Sequence, residues 1–233
     1  MPHTTDAEDH LRIIRSLMEK ATIYRAISAQ AALIGGVLAC IAGGLLAGSH
    51  DVFLKLLEKS QIDPANREVF GFQLKWFVVL VLTGAANFYF LYRDALRRGE
   101  AFVSPGMKTA LTAMTPALFA GGVFSTLWSV EGMPQIFMIF YGLALLSTAH
   151  FAPRSLIRLG WAFLLSGLAL VMLNGKELLH LVDHVTIPDR TPKAPPPWTY
   201  PDALMACTFG AYHLIYAACT TRRAPAPAAV PAI

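Results

Sequence analysis

The stretch GFQLKWFVVLVLTGAANFYFLY at residues 71–92 decides the fold class of this chain. Its length is close to the ~20 residues that a helix needs to cross the hydrocarbon core of a bilayer. Backbone polar groups in hydrocarbon must pair within the protein, and the stretch lacks the alternation of polar and apolar residues that is typical of barrel strands. The stretch is therefore predicted to be a transmembrane helix.

Five other apolar stretches of similar length lie along the chain. Overall, 55% of its residues are hydrophobic and only 15% are charged, against about 45–50% and about 25% in soluble domains. The mean hydropathy is +0.49. The predicted fold class is all-α, a polytopic membrane bundle of six transmembrane helices. The expected spans are residues 27–48, 71–92, 108–129, 133–151, 156–174 and 203–221.

Three domains follow from this pattern: residues 1–26, the transmembrane domain 27–221, and a disordered cytoplasmic tail at 222–233. Apolar residues recur at helical spacing within residues 5–26, opposite a charged face, which predicts an amphipathic helix. That helix either lies in the lipid headgroup layer or binds a cytosolic protein partner. No cleavable signal peptide is expected, because the first apolar stretch begins only near Ile27, after a charged segment.

The distribution of basic residues predicts the orientation in the membrane. Most of the 19 Lys and Arg residues fall on the side that holds both termini, so both termini are expected in the cytoplasm. That side holds Arg12, Arg15, Lys20, Arg25, Arg93, Arg97, Arg98, Lys108, Arg154, Arg158, Arg222 and Arg223. The other side is assigned Lys55, Lys59, Arg67, Lys75, Lys176, Arg190 and Lys193.

The lipid bilayer is therefore the predicted partner, and nucleic acid is not. The net charge of +4 comes from residues beside membrane segments, rather than from one basic helix face with interleaved aromatic residues.

A small residue occurs at every fourth position of the first span. Gly36, Cys40 and Gly44 of this series are the expected helix-packing residues. Small side chains allow two helix backbones to approach closely, which is a main source of association energy in lipid. The face either packs against other helices of the same chain or forms a homo-oligomer.

An internal repeat of helical hairpins is also indicated. Gly35-Gly36 in the first span has a counterpart in Gly121-Gly122 of the third. Basic segments after the second and fourth spans also match each other. A parallel repeat of hairpins is one way in which membrane proteins are built.

One polar cluster is predicted in the half of the bundle near the termini. His213 is expected to be the only ionisable residue well inside a span, and Asn87, Thr112 and Thr115 lie at comparable depths. The four side chains either bind a polar ligand or relay a proton, or they form hydrogen bonds between helices with His213 neutral.

No cofactor is identified, and haem is disfavoured. Two imidazoles that ligate one iron must lie at the same depth, whereas His150 and His213 differ by roughly 10 Å in helical rise. The sequence contains no P-loop, GxSxG motif, dinucleotide-binding fingerprint or intramembrane carboxylate pair. Enzymatic activity is therefore disfavoured.

A metal site is the third candidate, on the side opposite the termini. Glu177, His180 and His184 share one helical face, and His180-x-x-Asp183-His184 is similar to the H-x-x-E-H pattern of some metallopeptidases. Asp183 is one methylene shorter than the required Glu, and a third ligand is not identifiable. The alternative is a solvated polar face.

Several motifs together resemble a group of uncharacterised bacterial inner-membrane proteins, over residues 12–221. The resemblance implies a six-helix bundle in the inner membrane of a bacterium, and it includes His213 without giving it a role. Its motifs are Met18-Glu19-Lys20-Ala21-Thr22, Asn87-Phe88-Tyr89, Thr115-Pro116-Ala117 with Gly121-Gly122, Phe151-Ala152-Pro153-Arg154-Ser155-Leu156, and Phe209-Gly210-Ala211-Tyr212-His213-Leu214-Ile215-Tyr216.

Three functions are consistent with these features. The first is a non-enzymatic protein that acts by interaction, in a sensing or regulatory role, because charged features lie at surfaces. The second is a small transporter or ligand-binding protein that uses the cluster around His213. The third, with the weakest support, is a metal-binding enzyme on the face opposite the termini.

Overall fold

The computed structural model describes residues 10, 12–14, 28–45, 64–99, 102–103, 105–150, 152–173 and 201–221. These residues form helices and the turns that join them, and they include no strand. The predicted all-α class is confirmed for this part of the chain. Of the expected amphipathic segment at residues 5–26, only residues 10 and 12–14 are described, and they are helical. The tail at 222–233 lies outside the described residues.

Six helical segments coincide with the six apolar stretches. The largest difference between a predicted and an observed helix start is at α2, which begins at Pro64 rather than at residue 71. The segments are α1 (Ala29–Cys40, continued by a π-helical turn at Ile41–Leu45), α2 (Pro64–Arg98), α3 (Pro105–Ser125), α4 (Met133–Leu146), α5 (Arg154–Leu173) and α6 (Pro201–Thr221, with a π-helical turn at Ala206–Gly210).

The ends of the helices follow from local residue chemistry. Proline is favoured in the first turn because its missing N–H would have no partner within the helix there, and α2, α3 and α6 each begin with one. Ser28 caps α1, where its side chain accepts a hydrogen bond from the N–H of Ala31. Gly99 follows α2 with φ +65°, a conformation that glycine adopts without steric cost.

Three helices of the described residues are long and apolar enough to cross a membrane: Val69–Arg97, Arg154–Leu173 and Pro201–Thr221. Two shorter apolar helices cover Ala29–Gly44 and Met133–Leu146. Large apolar side chains point outward, such as Phe77 on α2, which is 59% exposed. The chain is therefore a membrane protein, with three crossings supported by length and composition.

The helices pack in a continuous order around two cores. α1 lies against both α2 and α6, α4 lies against both α3 and α5, and α6 joins the two groups by contacts with α4 and α5. One core surrounds Phe163 and includes Met138, Leu156, Tyr216 and Ala217. The other surrounds Phe72 and includes Ala39, Ala42, Trp76, Met133 and Met205. Phe209 packs against both cores, so residues on α6 connect them.

Candidate functional site

A buried ion pair lies beside the core around Phe72. The ammonium group of Lys75 on α2 pairs with Oδ1 of Asp202 in the first turn of α6. Lys75 is 1% exposed and Asp202 is 5% exposed. Removing two charges from water costs several kcal/mol per ion, and the loss is offset only when the charges meet in good geometry. The pair therefore fixes the position of α2 relative to α6.

Aromatic rings surround the Lys75 ammonium group. Its Nζ lies 5.5 Å from the ring centroid of Phe72 and 5.7 Å from that of Trp76, which is within the range of cation–π attraction. Phe72 also stacks on Phe137 of α4, with ring centroids 6.4 Å apart and ring planes at 3°. Trp76 Nε1 is buried and has no hydrogen-bond partner among the described residues. One positive charge is thus held in a largely aromatic setting.

A hydrogen-bonded chain ties the same end of α2 to α3. Gln73 Nε2 donates to Ser125 Oγ over 3.0 Å, and Ser125 Oγ donates to the Gly122 carbonyl over 2.7 Å. Because Ser125 is the last residue of α3, these contacts fix where α3 ends relative to α2. The start of α2 therefore contacts polar or aromatic groups of three other helices.

Two π-helical turns adjoin the ion pair. The turn at Ile41–Leu45 contacts the turn at Ala206–Gly210 and the first helical turn of α6. A Cβ on Gly43 would clash with the carbonyl oxygen of Asp202 and lie 2.8 Å from Ala206 Cβ. π-Helical turns are rare in proteins, and those that occur are often found at functional sites. The backbone of α1 thus touches the residue that carries the negative charge.

The second polar site centres on His213 of α6. Its Nδ1 lies 2.7 Å from the Phe209 carbonyl oxygen, which can only accept, so Nδ1 is the donor. In the neutral imidazole Nε2 then accepts from Tyr141 Oη of α4, over 2.9 Å. The ring also lies 5.6 Å from that of Phe163 on α5. His213 therefore links α6 to α4 by hydrogen bonding and to α5 by ring packing.

A neighbouring hydrogen bond completes the link between α5 and α6. The hydroxyl groups of Ser166 and Tyr212 lie 2.7 Å apart, and the Tyr212 ring packs edge-on against Phe163 at 5.1 Å. Together with the Tyr141–His213 contact, this bond provides polar connections from α6 to both α4 and α5. His213 thus takes part in a hydrogen bond between helices, with Tyr141 as a partner that the predicted cluster did not include.

The other three members of the predicted polar cluster do not join His213. Thr112 and Thr115 are exposed on α3, and their hydroxyl groups donate to the carbonyls of Lys108 and Leu111 on the same helix. Asn87 is half-buried on α2, and its Oδ1 is buried without a partner among the described residues. No described hydrogen bond connects any two of the four predicted residues.

The predicted metal residues Glu177, His180 and His184 lie outside the described residues. Within the described part of the chain, no group of three or more His, Cys, Asp or Glu side chains is arranged to hold a metal ion.

The predicted packing residues of α1 contact α6 in two of three cases. A Cβ on Gly36 would lie 2.8 Å from Leu214 Cγ, and Cys40 Sγ lies 4.0 Å from the Ala206 carbonyl oxygen. Gly44 is exposed and no heavy atom lies near its Cβ position, so Gly43 makes the contact instead. The four-residue spacing presumes a regular α-helix, whereas the chain is π-helical from Ile41.

The Lys75–Asp202 pair corrects one expectation. Lys75 lies inside the candidate span Val69–Arg97 and is buried, so His213 is not the only ionisable residue inside a span. The signal was present in the sequence: Lys75 falls within the predicted second span, and Asp202 directly precedes the sixth. Opposite charges at matching depths in two spans indicate a pair.

No protein-family model, curated protein or solved structure matches this chain.

Proposed function

We propose that this protein is a non-enzymatic membrane protein that acts by interaction, in a sensing or regulatory role. The observation that carries the proposal is that Lys75, Asp202 and His213, which are packed between helices, have partners within the fold. Lys75 pairs with Asp202, and His213 bonds Tyr141 and the Phe209 carbonyl. A side chain that carries a substrate or a proton must release its partner within the protein in order to bind that substrate or proton. The contacts of Lys75 and His213 instead hold helices together.

The proposal includes six crossings of a bacterial inner membrane, with both termini in the cytoplasm. α4 has 14 residues and covers ~21 Å, and it continues into hydrogen-bonded turns at Ser147, Thr148 and Ala149. Bilayers adapt to short spans at a cost of fractions of a kcal/mol per Å. The distribution of Lys and Arg supports the orientation, and the resemblance to bacterial inner-membrane proteins supports the location.

A repeat of two hairpins, α1–α2 and α3–α4, is part of the same proposal. A Cβ on Gly35 would lie 2.6 Å from Thr83 of α2, and a Cβ on Gly121 would lie 2.6 Å from Phe140 of α4. The first glycine of each Gly-Gly pair thus faces the helix that follows it in the chain, which supports an equivalent hairpin geometry.

A second candidate function, a small transporter or ligand-binding protein, is favoured by the π-helical turns beside Asp202. Interrupted helices and intramembrane charges mark substrate and ion sites in transporters. Trp76 Nε1, the buried donor without a described partner, is a group that a ligand could use. In this candidate the site moves from the cluster around His213 to the Lys75–Asp202 pair.

The number of crossings is tested by cysteine labelling. In a full-length chain without its native cysteines, Val103→Cys probes the α2–α3 connection and Ser129→Cys the α3–α4 connection. With six crossings, a membrane-impermeant maleimide added to intact spheroplasts labels position 129, whereas position 103 reacts only after lysis. If both positions react from the same side, α3 does not cross.

The two functions are separated by reconstitution. Vesicles that contain the protein should show no proton flux above protein-free vesicles if it acts by interaction. A flux that Asp202→Asn removes and Glu131→Gln retains would instead establish the transporter.

The interaction itself is tested in cells with a photo-crosslinking residue at position 14, where Ile14 is 52% exposed in the amphipathic segment. A discrete protein adduct at position 14, absent with the same crosslinker at the exposed Leu173 on α5, supports a docking partner. Equal or absent adducts at both positions would contradict a docking role for this segment.

A further inference from the structure

A pocket of about 370 Å³ lies at the end of the bundle away from the Lys75–Asp202 pair. Three helices form it: the first turn of α1, the last turns of α2 and the last turn of α6. Its volume falls within the range of ligand sites in proteins. Phe90 supplies an apolar wall, and Arg93, Asp94 and Arg97 supply charge.

The two arginines give the pocket its chemical character. Arg93 and Arg97 are four residues apart on α2, so they lie on the same face of the helix, and both are exposed. Neither of them forms an ion pair with another described residue. The guanidinium group presents a planar fork of N–H donors that matches phosphate oxygens. Among the described residues that line the pocket, Asp94 is the one acidic residue against two arginines, so this lining carries an excess of positive charge.

The start of α1 adds backbone donors to the same pocket. Ser28 Oγ occupies the N–H of Ala31, whereas the N–H groups of Ala29 and Gln30 belong to the first turn, where helical amides have no partner within the helix. The dipole of α1 is positive at this end. The hydroxyl groups of Thr220 and Thr221 donate to carbonyls of α6, so the guanidinium groups of the arginines and the amide groups of residues 29 and 30 are the remaining donors of the described lining.

We propose that this arginine pocket binds a phosphate group, with Arg93 and Arg97 as the recognising side chains. The inference goes beyond the proposed function, because it holds whether the protein acts by interaction or by transport. Basic pockets between transmembrane helices at the membrane surface are typical sites for anionic lipid headgroups.

The surroundings of the pocket favour a lipid as the source of the phosphate. Tyr89 and Tyr92 on the same turns of α2 are exposed, and tyrosine is enriched at the level of the headgroups. Tyr92 also packs edge-on against Phe102, with ring centroids 5.5 Å apart. An anionic glycerophospholipid could place its phosphate between the arginines and its acyl chains along α2.

The test compares two variants of the full-length protein with the wild type in detergent. Arg93→Gln/Arg97→Gln removes the charges of the pocket, and Arg154→Gln/Arg158→Gln is the matched control, because those arginines are also exposed and four residues apart but lie on α5. Binding of phosphatidylglycerol, phosphatidylcholine and inorganic phosphate is measured by native mass spectrometry and by the shift in thermal unfolding.

We expect phosphatidylglycerol to bind the wild type and the control pair alike, and the Arg93/Arg97 variant roughly tenfold more weakly. Competition by millimolar inorganic phosphate would keep the site and assign it to a free phosphate compound. Equal losses in both variants, equal binding of phosphatidylcholine and phosphatidylglycerol by all three proteins, or no binding of any probe would each overturn the proposal. The outcome is independent of the vesicle-flux and crosslinking experiments.

Discussion

Lys75 of α2 and Asp202 of α6 form an ion pair in which both side chains are buried, although the two residues are 127 positions apart in the chain. Phe72 and Trp76 cover the ammonium group, and Gly43 lets the backbone of α1 approach Asp202. The pair and its surroundings therefore bring together α1, α2 and α6, which are separated by long segments of sequence. Both charged side chains thus belong to the packed interior of the bundle.

Removing one partner of the pair should be far more harmful than removing both. We expect Lys75→Met and Asp202→Leu each to lower stability by about 3–5 kcal/mol, because each removes the ion-pair partner of a buried charge. The double variant should lose less than either single variant. The midpoints of thermal unfolding in detergent measure these changes.

Lys108→Met is the control for loss of a lysine charge, because Lys108 is exposed on α3. Recovery in the double variant should be incomplete, since Asp202 is also the acidic residue in the first turn of α6. Strict additivity of the two single losses would show that the residues are not energetically coupled.

Gly43→Ala should destabilise the bundle, whereas Gly44→Ala should not. The new methyl group at position 43 would meet the Asp202 carbonyl and Ala206, and neither backbone can move without separating α1 from α6. Overpacking of this kind costs about 1–3 kcal/mol. Position 44 has open space. Equal unfolding midpoints for the two variants would contradict the close approach of α1 and α6.

Gly142→Ala should loosen the contact between α4 and α5. Its Cβ would lie 2.7 Å from the Leu164 nitrogen and 2.8 Å from the Gly160 carbonyl oxygen, which are both backbone atoms. A loss of about 1–3 kcal/mol is expected, measured by thermal unfolding. Gly84→Ala on α2 is the control: its site is open, so it should keep stability or raise it by up to about 1 kcal/mol. A harmless Gly142→Ala would disprove the tight helix pair.

Tyr141→Phe should cost about 0.5–1.5 kcal/mol, because it removes the hydroxyl donor to His213 Nε2 and leaves that nitrogen without this partner. Tyr89→Phe removes a hydroxyl from an exposed tyrosine and is the matched control. Unfolding midpoints report the difference. If the double variant Tyr141→Phe/His213→Leu is tolerated better than Tyr141→Phe alone, the two ends of the hydrogen bond can be replaced together by apolar groups. Equal midpoints for Tyr141→Phe and Tyr89→Phe would contradict a stabilising bond.

The polar sites illustrate which contacts were predictable. The sequence singles out His213, because an imidazole in an apolar stretch is conspicuous. It does not single out its partner Tyr141, because tyrosine is common in transmembrane spans and hydropathy does not encode the direction of its side chain. The cluster with Asn87, Thr112 and Thr115 assumed that similar depth implies proximity. Depth is one coordinate of three, and the rotation of α3 about its axis leaves Thr112 and Thr115 exposed.

The amino-acid sequence is sufficient to predict the helices and many of their ends. Helix formation in lipid depends on local properties, namely apolar length, backbone self-pairing, proline in first turns and glycine or serine at caps. The pairing of helix faces is visible only in the folded chain, where Lys75 meets Asp202, His213 meets Tyr141, and Gly43 rather than Gly44 meets α6. Because lipid solvates apolar side chains as well as protein does, a span carries no apolar stripe that marks its inner face. Close approach and polar pairing between distant segments therefore select the arrangement.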